Sequence, residues 1–258
     1  MFEVVVVGCG AMGARHAQTI ARSRSARLVG VVDPDTARRR AVAHACLTEA
    51  FTTVPDGVQA AVVATPNATH APIAKSLLDR GLWVLLEKPM CLTSAEAGIL
   101  SSDRLSIGHS ERFNPGLRGR IRRCERQFSA IRTGPVARPS ATPLVFDRMI
   151  HDLDLALWWC GPLELVDAWT TAQTLEVSLK GGANVRLTAA FGGPLQRTLC
   201  IDGATIDLLT PGEPDALTAQ WSAFESAIRG ETPVPVPSSE AAAAVALAES
   251  IQRIVNYR

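Results

Sequence analysis

Three glycines are the first residues in the chain whose spacing could do chemistry. Gly8, Gly10 and Gly13 lie in GCGAMG and end a run of apolar β-formers, Val4 to Val7. That spacing suits a dinucleotide pyrophosphate: Gly8 permits the tight turn, Gly10 lets the backbone approach the phosphates, and Gly13 lets the next helix pack on the strand. The unpaired amides at the N-terminus of that helix then face negative charge, and Ala11 and Met12 of the loop are candidate cofactor contacts beside the glycines. Asp33 ends a second apolar run twenty residues beyond Gly13, where such a unit places a carboxylate on the adenosine ribose. A carboxylate there also repels a 2′-phosphate. Two unit charges about 4 Å apart at an effective dielectric of about 20 differ by roughly 4 kcal/mol, an upper bound. That is at most about three decades of preference for NAD over NADP. The plainer reading, that Asp33 only starts the turn Asp33-Pro34-Asp35, leaves the rest of the unit unexplained. NAD is the expected coenzyme; Arg38, Arg39 and Arg40 leave room for NADP.

Alternating elements must position these residues. Helices are expected over 14–24, 37–46 and from Asn67 or Thr69 to Arg80, with strands at 28–32, 49–53, 59–65, 82–86 and 105–108. Alternation of this kind predicts a doubly wound parallel sheet of the Rossmann type, its ligand bound at the carboxyl ends of the strands. Thr65-Pro66-Asn67 and Glu87-Lys88-Pro89 fall at such ends and join the glycine loop and Asp33 as candidate cofactor contacts. His70 is the remaining candidate; it and Asn67 either touch the coenzyme or shape a helix start.

From Arg112 the pattern changes. A short basic helix is expected over 114–126, a strand over 127–133 and a helix over 147–160. Period-two runs follow at 163–171, 174–180, 184–191 and 195–201, as an antiparallel sheet requires. Gly181-Gly182 and Gly192-Gly193 read as hairpin turns. Helices over 215–229 and 239–256 close the chain. The expected division is a dinucleotide-binding domain over 1–111 and an α+β domain with an open, mainly antiparallel sheet over 112–258.

Composition narrows the partners. A net charge of +1 on 258 residues gives no footprint for nucleic acid or an anionic membrane surface. Six cysteines occur with no C-x-x-C pair and read as buried hydrophobes of a reducing compartment, with no metal site. The longest apolar run, 241–248, is too short to span a bilayer. With no basic leader before the first strand, a cytoplasmic protein is expected.

GCGAMGARHA (8–17), ATPNATH (64–70), LLEKPM (85–90), GHSERFNP (108–115) and DRMIHDLDLALWW (147–159) together resemble the Gfo/Idh/MocA family (glucose–fructose oxidoreductase / inositol dehydrogenase / rhizopine catabolism). GHSERFNP looks most like its branch acting on nucleotide-linked amino sugars. The resemblance implies a small-molecule substrate, a homo-oligomer (dimer or tetramer), and Lys88 beside the nicotinamide ribose and the reacting oxygen. It also implies that Asp147 and His151 line the substrate, with His151 transferring the proton; Arg112 and Asn114 are the expected substrate-binding neighbours. The chemistry agrees: removing hydride from an alcohol carbon requires removal of the hydroxyl proton, which a histidine suits. An ammonium stabilises the developing alkoxide.

The expected function is hydride transfer between NAD(P) and a secondary alcohol or ketone of a sugar, cyclitol or nucleotide sugar. Imine or carbonyl reduction in a biosynthetic pathway, or a non-catalytic dinucleotide sensor, are the alternatives. Bland readings stand beside the sharp ones. His151 could be a satisfied core histidine, Asp152 and Asp154 could serve the first helical turn, and arginines 118, 120, 122, 123 and 126 a solvated face. Relatives are longer, and RPSATPLVF (138–146) replaces their glycine-rich stretch, so the substrate-facing loops depart from the family.

Overall fold

The computed structural model describes residues 1–120, 123–135 and 142–256; Arg122 and residues 138–141 (RPSA) lie outside them. The chain divides into two units: Met1–Cys91, Ala95–Gly108 and Leu217–Ser239 form the first, and Leu92–Ser94, His109–Ala216 and Glu240–Arg258 the second. The expected boundary between 1–111 and 112–258 lies close to the crossing after Gly108. The chain crosses at Gly108 and later returns, because Trp221 and Phe224 pack into the first unit's core against Val4, Val6, Ile20 and Leu85.

In the first unit, β1 (Phe2–Val7), α1 (Ala11–Ala21), β2 (Ala26–Val32), α2 (Thr36–Cys46), β3 (Glu49–Phe51), β4 (Ala60–Val63), α3 (His70–Asp79), β5 (Trp83–Glu87), α4 (Ser94–Gly98) and β6 (Leu105–Gly108) follow in chain order, α4 straddling the division. The six strands are all parallel, in the order β3-β2-β1-β4-β5-β6. Val4, Val5, Val6 and Val62 are wholly buried, as strands covered on both faces must be. The order reverses between β1 and β4, which opens a crevice at their carboxyl ends.

The second unit holds β7 (Gln127–Gly134), α5 (Ile150–Cys160), β8 (Leu163–Thr170), β9 (Thr174–Gly181), β10 (Asn184–Ala190), β11 (Gly192–Ile201) and β12 (Ala204–Asp207). Its sheet runs β12-β11-β7-β10-β9-β8, antiparallel except for the β7–β10 pair. Phe128, Val177, Leu187 and Leu199 fill its inner face, while Ile131 and Trp169 remain exposed. Gly181-Gly182 does lie at the β9–β10 hairpin. Gly192-Gly193 does not make one, because β11 crosses over to pair with β7. The helices α6 (Ala216–Ile228) and α7 (Ser238–Asn256) end the chain.

The basic helix expected over 114–126 is absent from the described part of that segment. Short 3₁₀ turns occupy Ser110–Phe113 and Pro115–Leu117 instead. Asn114 caps the second turn by accepting from the Gly116 N–H at 2.9 Å, and Gly119 takes φ +69°, ending any helix.

Candidate functional site

Carboxyl ends of β2, β1, β4 and β5 meet a cavity of about 430 Å³ in the first unit. Each strand delivers one loop to it: Asp33 after β2, Gly8, Gly10, Ala11 and Met12 after β1, Thr65, Pro66 and Asn67 after β4, and Glu87 and Lys88 after β5. Strands about 4.8 Å apart spread these loops over roughly 14 Å, a linear cleft for an extended ligand. Pro34, Arg38 and Ala64 also line it; Arg38 was legible only as one of a run of arginines.

The glycine loop is shaped as the sequence required. Gly8 has φ +99°, and a Cβ there would lie 2.4 Å from the Ala64 carbonyl oxygen. At Gly13 a Cβ would fall 1.8 Å from the Gly8 oxygen, so this glycine serves the helix–strand packing and does not line the cavity. A Cβ on Gly10 would meet nothing within 4 Å; that side faces the open cavity. Gly10 starts α1 with no side-chain cap, which leaves the first helical amides for an anion. A dinucleotide fits this donor set.

Asp33 is buried, its Oδ2 accepting from the Cys9 N–H at 2.7 Å and its Oδ1 from the Asp35 N–H at 2.8 Å. Two backbone donors thus fix the carboxylate, and each oxygen keeps a second lone pair. Arg38 sits 3.3 Å from Asp35 at the exposed start of α2. Burial and the Asp33 charge push the Cys9 thiol up to about 11, so it stays protonated.

At the other end of the cleft, His70 is buried with Nδ1 2.7 Å from the Pro89 oxygen and Nε2 2.8 Å from the Thr65 oxygen. It ties the loop after β4 to the loop after β5. Glu87 is also buried, with Oε1 2.7 Å from His16 Nε2 and Oε2 accepting from the Lys88 N–H at 3.2 Å. Burial alone would raise the Glu87 carboxyl, but the hydrogen bond and charge of His16, joined by Lys88, hold it below its ordinary value. Lys88 is half-buried. A larger basin, about 720 Å³, opens at the amino ends of the strands beside Phe2 and Trp83. Arginines rim it, and none of the nucleotide-binding loops reaches it.

In the second unit, Asp147 lies within a π-helical turn, Val145–Met149, that runs directly into α5, and His151 follows one turn later. Both are half-buried. Single π turns often mark functional positions in helices. The His109 ring meets that of His151 edge-on with centroids 6.3 Å apart, and His109 Nδ1 is 3.7 Å from Asp154 Oδ2. Sequence reasoning passed over His109, although it sits in the GHSERFNP motif.

The two expected substrate neighbours have partners within the second unit. Arg112 turns inward, donating to Asp154 at 2.8 and 2.6 Å and to Glu240. Asn114 gives its amide to Glu111 and to the Leu208 carbonyl. Both side chains are engaged inside the fold. Asp152, in the first turn of α5, and Asp154 are likewise buried ion-pair partners: Arg132 donates to Asp152 at 2.9 and 2.8 Å and to Glu111 at 2.9 Å. Burial raises the Asp152 carboxyl despite Arg132. For Glu111, the charge and hydrogen bonds of Arg132 outweigh burial and lower it.

Among the described residues, no group of three His, Cys, Asp or Glu is arranged to hold a metal, and no helix is long and apolar enough to cross a membrane.

Residues 2–102 match the family model described as "Oxidoreductase family, NAD-binding Rossmann fold", GFO_IDH_MocA. This segment is a Gfo/Idh/MocA NAD-binding Rossmann domain. The chain is 31% identical over 183 residues to inositol 2-dehydrogenase of Corynebacterium glutamicum (strain R), covering 62% of this chain and 54% of that protein. It is 34% identical over 169 residues to UDP-N-acetylglucosamine 3-dehydrogenase of Acidithiobacillus ferrooxidans, covering 60% of this chain and 53% of that protein. The match thus spans about half the length of these curated relatives. Among solved structures, UDP-N-acetylglucosamine 3-dehydrogenase GnnA from the same Acidithiobacillus is similar with a TM-score of 0.88 at 28% identity, over 98% of this chain and 97% of that one.

Proposed function

We propose that this protein is an NAD-dependent oxidoreductase that moves hydride between the nicotinamide and a secondary alcohol or ketone of a sugar, cyclitol or nucleotide sugar. One observation carries the reading: a single cleft presents a carboxylate suited to ribose hydroxyls after β2, uncapped helix amides after β1, and a lysine after β5. Likeness along nearly the whole chain to a UDP-N-acetylglucosamine 3-dehydrogenase favours a nucleotide-linked amino sugar among those substrates.

Bound coenzyme supplies the hydride acceptor or donor. In this reading the chain does the rest. Asp33 holds the adenosine ribose, and the amides of Ala11 and Met12 hold the phosphates. Lys88 donates a hydrogen bond to the reacting oxygen and stabilises the charge that develops on it. His151 takes the hydroxyl proton on oxidation and returns it on reduction, with Asp147 orienting it. Association into dimers or tetramers and a cytoplasmic location belong to the same reading.

The test is NADH absorbance with UDP-N-acetylglucosamine, myo-inositol and a panel of related alcohols and ketones. Turnover is expected on at least one, and Lys88→Ala should lower it by about two to four orders of magnitude while NAD still binds. Coenzyme binding without turnover on any of them would overturn the enzymatic reading.

A further inference from the structure

The inner face of α1 carries Gly13, Ala17 and Ile20, and among them stands a histidine. His16 is 1% exposed, and its Nδ1 has no hydrogen-bond partner among the described residues. Burying an imidazole with one nitrogen unsatisfied is costly, and an apolar residue would fill the same space without that cost. The other nitrogen, Nε2, points at Glu87 Oε1 at 2.7 Å. Glu87 is held from the opposite side by Gly108 of β6, where even a Cβ would come within 3.2 Å of the Glu87 carboxyl carbon. Its remaining oxygen, Oε2, accepts the backbone N–H of Lys88. A continuous path therefore runs from α1 through a buried carboxylate to the lysine at the end of the cleft.

We infer that His16 is a positioning residue for Lys88, acting through Glu87: the imidazole fixes one carboxylate orientation, and the carboxylate fixes the backbone and the charge of the lysine. The inference rests on the proposed role of Lys88. A buried ion pair is weak evidence for stability, because apolar replacements are often neutral. Its placement directly behind the one lysine of the cleft is what assigns it a use. Glu87 faces His16 from α1 and Lys88 from its own loop, and these are the charged groups acting on it. Without its imidazole partner the buried carboxylate keeps only Lys88 to hold it down, and burial pushes it up toward the protonated form. The negative charge that Glu87 sets beside Lys88 is then weakened.

Three lysines, 75, 88 and 180, make this measurable without knowing the substrate. Trace acetylation by acetic anhydride, read by peptide mass spectrometry on the full chain with NAD bound, reports Lys88 against the other two. His16→Leu and Glu87→Gln are each expected to speed Lys88 labelling by about threefold or more, with the double variant no faster than either single one. His16→Gln, which keeps a donor near the Nε2 position, should stay within about twofold of the parent. Equal labelling in His16→Leu and the parent, or additive effects in the double variant, would overturn the inference. If His16→Leu does not fold, the contrast between Glu87→Gln and His16→Gln decides the same question. Lys88→Ala, assayed for turnover alongside, separates the two claims. Changed labelling with undiminished Lys88→Ala turnover leaves the positioning intact and removes Lys88 from the chemistry; unchanged labelling with lost turnover does the reverse.

Discussion

At the residue scale, the glycines and Asp33 do different work, and substitutions should separate it. Gly13→Ala forces a Cβ into the Gly8 carbonyl, so loss of folded protein is expected, read by circular dichroism. Gly10→Ala meets only open space within the fold. Its methyl should leave the melting temperature unchanged and weaken coenzyme binding by about tenfold or more, because the backbone must approach the pyrophosphate there. Asp33→Ala removes a charge and also strands the amides of Cys9 and Asp35. Loosening that loop weakens both coenzymes alike, so the ratio of affinities is the informative quantity. That ratio should move toward NADP by roughly ten- to thousandfold, bounded by the Coulomb estimate for a partly solvated site. A constant ratio in calorimetric titrations would remove Asp33 from ribose recognition.

At the element scale, stability of the nucleotide-binding unit depends on a helix that arrives late in the chain. Trp221 of α6 meets Phe2 of β1 with ring centroids 6.3 Å apart and Phe224 at 5.9 Å, and its indole N–H donates to Glu225. Trp221→Ala should therefore destabilise the first unit by about 3–5 kcal/mol, seen as a lower denaturant midpoint; a loss below about 1 kcal/mol would mean that α6 is only loosely docked. The helix itself was legible, since its apolar spacing reads as 215–229. Its destination was not, because periodicity tells which face is apolar and not which core takes it. Gly192-Gly193 misled for a related reason: two positive-φ glycines specify a turn, but not the strand that the chain pairs with next. The Rossmann half and the loops of its cleft could be read ahead because each motif is local, a strand followed at once by its functional loop. Arg112, Asp152 and Asp154 could not, because their partners Glu240 and Arg132 lie far away in sequence.

At the scale of the whole molecule, the two units share a vulnerability to acid. Each contains a buried carboxylate held below its ordinary value near 4.5 by basic partners: Glu87 by His16 and Lys88, Glu111 by Arg132 with help from Arg197. A carboxylate lowered in the folded state adds stability that is complete above its unfolded value and is lost as pH falls through the folded one. Asp152 is raised above its ordinary 3.8 and acts with the opposite sign, giving up its contribution as pH rises through its folded value. It therefore partly masks Glu111 in the second unit, and the two can be separated. Glu111→Gln should lower stability at neutral pH by about 2 kcal/mol, the worth of a charged hydrogen bond to Arg132. The variant's urea midpoint should then fall less steeply than the parent's as pH is taken below about 4.5. Asp152 also loses one of the charges that raise it when Glu111 is gone, so burial remains as the cause of its upward shift. An acid limb of unchanged steepness would mean that Glu111 is not held low by Arg132, and that the ion-pair cluster is mainly a matter of orientation.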